Sequence, residues 1–151
     1  MTLTQKETTL LSDLKSQEQL CIDKYSKYEA EACDTALKNL FAELRGVEEG
    51  HLGRINRMLG GEEVSASACP SAVNECGSFT ESSCPKPSKE KDAYLCKDAL
   101  AMEKHVSSVY DTCVFEFSSP TLRDTLSAIQ KEEQIHGLKL YRYMNANGMY
   151  S

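Results

Sequence analysis

Two Glu-x-x-His steps stand out in this chain, Glu48-Glu49-Gly50-His51 and Glu133-Gln134-Ile135-His136, and a further glutamate, Glu18 or Glu103, lies thirty residues before each. Carboxylate and imidazole together hold borderline divalent metals, and a spacing of three puts both on one face of an α-helix. Four helices that each send a glutamate inward, two of them adding a histidine, make a dinuclear metal site from Glu18, Glu48, His51, Glu103, Glu133 and His136. Two divalent ions balance four glutamates in formal charge, and two neutral imidazoles complete the shell. One Glu-x-x-His step is a weak signal. Two of them on apolar faces are a strong one, because an unpaired glutamate in such a seam costs on the order of several kcal/mol. Gathered in a core without metal, these carboxylates are expected to titrate above their ordinary value, through burial and mutual repulsion.

The elements that must carry these groups form a repeat. An offset of 85 maps Glu18 onto Glu103, Tyr25 onto Tyr110, Glu31 onto Glu116, Leu37 onto Leu122, Glu48 onto Glu133 and His51 onto His136. The chain therefore reads as two copies of one helical hairpin. Thr4-Gln5-Lys6-Glu7 has the form of a capping box, and Leu11, Leu14, Glu18, Cys21, Tyr25 and Tyr28 follow in steps of three and four. Asp34 caps a second helix reaching Met58-Leu59, with Leu37, Phe41, Leu44, Glu48, His51, Ile55 and Met58 inward and Gly60-Gly61 as its stop. A third helix is expected from near Ser88, carrying Cys96, Leu100, Glu103, Val106, Tyr110, Cys113 and Phe117. Ser119-Pro120 opens a fourth, with Leu122, Leu126, Ile129, Glu133, His136, Leu140 and Tyr143 inward, ending near Asn147-Gly148.

Cys33 lies midway between Glu18 and Glu48, and Ser118 midway between Glu103 and Glu133. Both glutamates of a pair then sit at one height, about 22 Å from the turn. The expected fold is all-α, a ferritin-like four-helix bundle of two repeated antiparallel hairpins, 4–59 and 88–147, with a long crossover, 60–87, between helices two and three. A chain of 151 residues, 40% of them hydrophobic, supports one core, so 1–151 is expected to be a single domain.

Other residues have plainer readings. Tyr25 and Tyr110 follow their glutamates by two helical turns and are expected to pack in the core with a bonded hydroxyl; a role in redox chemistry beside the ligands is the alternative. His105 falls off the seam, and Glu49 and Glu132, which flank the ligands without matching each other in the repeat, are expected to be solvated. A net charge of −6 with no cluster of Lys or Arg argues against nucleic-acid binding. No stretch approaches the roughly 18 continuous apolar residues of a membrane span, so a cytoplasmic protein is expected. The seven cysteines read by default as reduced thiols, with cross-linking through Cys69, Cys76 and Cys84 as the sharper alternative.

Paired Glu and Glu-x-x-His motifs on two hairpins resemble the ferritin-like diiron carboxylate superfamily, which includes the rubrerythrins. More narrowly, the run from Leu14 to Cys21, continuing through Lys24-Tyr25 to Glu48-Glu49-Gly50-His51-Leu52, resembles the spore coat protein F family. The superfamily resemblance implies Glu18 and Glu103 as terminal ligands, Glu48 and Glu133 as bridges, and His51 and His136 as one imidazole for each of two iron ions, or alternatively manganese. It further implies an oxidoreductase of peroxidase or oxidase type, reacting with peroxide or dioxygen and served by an electron donor. The chain departs from rubrerythrins in having Leu100 where they carry an extra carboxylate, and in lacking their Cys-x-x-Cys module. The coat resemblance implies a spore coat location among other coat proteins. The rival to an enzyme is thus a structural coat protein, cross-linked through the linker cysteines, whose metal site is structural. A homodimer is left open by either reading.

Overall fold

Capping chemistry sets where the helices begin. The computed structural model describes residues 1–66 and 78–150 and contains α1 (Gln5–Glu31), α2 (Thr35–Leu59), α3 (Lys86–Glu116) and α4 (Pro120–Ala146), with no strand among the described residues. Thr4 and Glu7 close the expected capping box on α1, Asp34 caps α2 through the N–H of Ala36, and Ser119 caps α4 through the N–H of Leu122. Gly61 supplies the left-handed turn, at φ 86°, that follows α2. The third helix starts at Lys86 rather than near Ser88, with Pro87 in its first turn, where a missing N–H costs no helical bond.

The apolar seams lie inward as the three-and-four spacing requires, with one correction. Leu100 is only partly buried and lies outside the line of the seam, while Ala99 is fully buried. The repeat itself points to Ala99, which is the counterpart of the buried Leu14. Buried apolar residues from all four helices form one cluster. Tyr25, Tyr28 and Phe41 join their rings in it, at centroid separations of 5.3 to 6.0 Å.

Side-chain pairs fix the helix directions. From the N-terminus of α1 onward, Glu7 meets Ser118, Tyr25 meets Glu103, Tyr28 meets Asp98 and Cys33 meets Asp92, so partners in α3 descend as those in α1 ascend. Glu43 with Lys139, Glu48 with His136 and His51 with Glu132 do the same for α2 and α4. Each neighbouring pair is therefore antiparallel. The connection between α2 and α3 is described only at its two ends. Val64 accepts the Thr125 hydroxyl near the start of α4, whereas Phe79 stacks edge-on against Tyr143 and the Ser82 N–H bonds Asn147 near its end.

Two carboxylates lock the hairpin turns. Glu7 takes the N–H and hydroxyl of Ser118, each at 2.9 Å, and Asp92 takes the N–H groups of Cys33 and Asp34 at 2.9 and 3.1 Å. Glu7 and Asp92 are themselves one repeat apart, as are Cys33 and Ser118. Each hairpin thus caps the turn of the other.

A disulfide joins Cys33 to Cys84, so the expectation of reduced thiols fails at this pair, and Cys84 is engaged within the chain. Its cause is topological, since antiparallel α1 and α3 bring the first turn beside the start of α3. Cys69 and Cys76 lie outside the described residues. Among the described residues, no helix is long and apolar enough to cross a membrane.

Candidate metal centre

All six expected ligands meet at mid-height in the core, each no more than 2% exposed. They form two sets, Glu18, Glu48, His51 and Glu133 on one side and Glu48, Glu103, Glu133 and His136 on the other, the ligand atoms within each lying within 4.8 Å of one another. Glu48 and Glu133 belong to both sets. The imidazole rings lie nearly parallel, 6.0 Å apart. Nδ1 of His51 is 2.7 Å from Glu133 and 3.2 Å from Glu48, and Nδ1 of His136 is 2.9 Å from Glu48 and 3.0 Å from Glu103. The same nitrogen of each ring therefore faces the carboxylates.

The fit to a metal can be judged from what lacks a partner. Glu18 Oε2, Glu103 Oε2 and Glu133 Oε2 are buried without a hydrogen-bond donor, and Glu133 Oε1 has only the nearby Nδ1 of His51 beside it. Buried acceptors left unmatched each cost about 1–3 kcal/mol, more when charged. Four glutamates converging beside two imidazoles have a donor set and charge suited to two divalent ions, so the residues fit the group.

Without an ion, protons take over part of that work. Burial lifts the Glu18 carboxyl to about 8, and burial with the neighbouring charge of Glu103 lifts that of Glu133 well above the usual carboxylate range. Glu48 goes the other way, against the expectation of a uniform rise. Burial opposes its charge, but hydrogen bonds from Glu18, His136 and His51 outweigh this and hold it well below the usual range. Burial also works against a charged His136, yet Glu103 and Glu48 lift it to about 9; Glu132 and Glu133 do the same for His51, raising it well above its ordinary value.

Tyr25 and Tyr110 pack in the core and bond glutamates of opposite hairpins, Tyr25 donating to Glu103 and Tyr110 to Glu18. His105 is exposed, as is Glu49. Glu132, expected in solvent, is buried. It engages Nε2 of His51 and lies 3.3 Å from Arg54. Its position was legible, since it lies three residues after Ile129 and four before His136, on the edge of the buried face. A carboxylate on the far ring nitrogen fixes the orientation of a ligating imidazole.

The chain is an all-helical four-helix bundle with two buried carboxylate and imidazole groups that share Glu48 and Glu133. Residues 91–151 match the family model described as Coat F domain, which covers most of α3 and all of α4. That match supports the resemblance to the spore coat protein F family, and does so from the second hairpin, whereas the resemblance in sequence rests on the first. No curated protein and no solved structure matches the chain.

Proposed function

We propose that the chain is a ferritin-like dinuclear metal carboxylate protein of oxidoreductase type, associated with the spore coat and acting on peroxide or dioxygen. The observation that carries this reading is the pair of buried ligand sets sharing Glu48 and Glu133. Antiparallel pairing of α1 with α3 and of α2 with α4, together with a connection whose ends meet opposite ends of α4, supports a ferritin-like crossover. One buried cluster drawn from all four helices supports a single domain over 1–151.

When bound, two iron or manganese ions would supply a two-electron couple. Glu18 and His51 would hold one ion, Glu103 and His136 the other, with Glu48 and Glu133 shared between them. Tyr25 and Tyr110 orient the terminal carboxylates, and Glu132 orients His51. An electron donor and neighbouring coat proteins are the partners this reading requires.

The Coat F domain match favours a second reading, a structural coat protein whose metal site serves only stability. Peroxide consumption separates the two. Anaerobically iron-loaded protein should consume peroxide faster than the same iron free in buffer; a rate no faster than that of free iron leaves the structural reading in possession.

A further inference from the structure

Glu132 has no twin. Its counterpart in the repeat is the half-buried Val47, whose side chain can accept no hydrogen bond. Where Glu132 takes up Nε2 of His51, the corresponding Nε2 of His136 is buried with no partner among the described residues. In ligand types and in hydroxyl donors the two halves match. Each ligand set has three glutamates and one histidine, each ring turns Nδ1 toward the carboxylates, and Tyr110 and Tyr25 donate to Glu18 and Glu103 alike. The carboxylate behind His51 is thus a difference between two otherwise parallel sets.

We infer that the two halves of the centre bind metal unequally: the half built on Glu18 and His51 takes the first ion, the half built on Glu103 and His136 takes the second, and Glu132 is the positioning residue that sets this order. The inference rests on the metal reading and deepens it. A ring that gives Nδ1 to an ion carries its hydrogen on Nε2 and is a donor there. At His51 that hydrogen meets Glu132 Oε2, which Arg54 also engages at 3.3 Å, so the carboxylate is itself held in place. The His51 ring is fixed from both of its nitrogens, and the His136 ring from one. A carboxylate on the far nitrogen also makes the near one a stronger donor to metal, and partners of this kind are worth about 10–100-fold in metal affinity. A chain holding a single ion should therefore hold it beside His51.

The test uses full-length protein labelled with nitrogen-15 at histidine and titrated anaerobically with zinc, following the ring resonances, which His51→Gln and His136→Gln assign. Which ring responds first decides the matter, because the charge of any first ion weakens binding of the second. His51 should convert over the first equivalent and His136 over the second, with a preference of at least about tenfold. Glu132→Ala should weaken the first binding step by about 10–100-fold and abolish the order, both rings responding together. Glu132→Gln, whose amide oxygen still accepts a hydrogen bond but carries no charge, should keep the order with a smaller preference, a rescue that general loosening of the fold would not give. Rings that convert together in the wild-type protein, His136 converting first, or the wild-type order persisting in Glu132→Ala overturns the inference. Should Glu132→Ala fail to fold, Glu132→Gln decides in its stead, and a preference equal to that of wild type overturns it. Protein that takes up no zinc overturns the metal reading and this inference with it, whereas two ions bound in no order overturn this inference alone.

Discussion

Tyr25 gives its phenolic hydrogen to Glu103 at 2.5 Å, and Tyr110 gives its own to Glu18 at the same distance. Each tyrosine serves the glutamate of the opposite hairpin, which is possible because α1 and α3 run antiparallel and each tyrosine lies two turns beyond its own glutamate. Tyr25→Phe and Tyr110→Phe should each destabilise the metal-free fold by about 1–3 kcal/mol, since a buried carboxylate loses its donor. Thermal melts of each variant check this, and melting temperatures equal to wild type would contradict it.

Each chain should take up two transition ions. Glu48→Ala or Glu133→Ala should deplete both, because each residue belongs to both ligand sets. Glu18→Ala should spare the half held by Glu103 and His136. His105→Ala, at an exposed position, should leave metal content unchanged. Elemental analysis after anaerobic loading reads all four outcomes, and equal losses from His105→Ala and Glu48→Ala would place the metal elsewhere.

The metal-free protein should lose stability as pH rises. Glu18 and Glu133 titrate higher in the folded state than the 4.5 of a free glutamate, and His51 and His136 higher than 6.5. A raised folded value contributes stability that is complete below the unfolded value and lost as pH climbs through the folded one. The decline should run from about pH 5 to about 9, the value for His136. Glu48, held low, adds no slope in that window. Metal reverses the trend, since its ligands must shed protons to bind it and acid expels it. Melting temperatures of the two forms should therefore converge in acid and separate at neutral pH; parallel curves would refute a shared proton and metal site.

Glu7 should matter as much as a small core residue. Its carboxylate accepts from Thr4 and Ser118, and these bonds hold its pKa below the ordinary value. Glu7→Ala should cost about 1–3 kcal/mol, or several degrees in melting temperature. Because the pKa is lowered, the contribution of the charge is present above about pH 4.5 and lost as pH falls through the folded value. The gap between wild type and Glu7→Gln should narrow in acid, and a gap that widens there would sink this account.

What could be read before the structure, and what could not, divides by whether local spacing or topology decided it. The inward positions of Glu18, Glu48, His51 and their repeats were legible because a buried side chain keeps the helical period of its seam. Ala99 was missed in favour of Leu100 because period alone does not choose between neighbours for the larger residue, although the repeat would have chosen. Glu132 was set aside for breaking that repeat, yet it is buried against Nε2 of His51. The mutual locking of the turns by Glu7 and Asp92 and the pairing of Cys33 with Cys84 depend on α1 lying antiparallel to α3. No local pattern encodes that.

The bond between Cys33 and Cys84 closes a covalent ring containing all of α2 and all but the last residue of the connection to α3. A single cut anywhere between those residues would sever the backbone without parting the halves. Such a nicked chain would migrate as one species until a reductant was added, and then as two. Each chain would thus keep its covalent continuity under attack by a protease that cleaves it once within the ring.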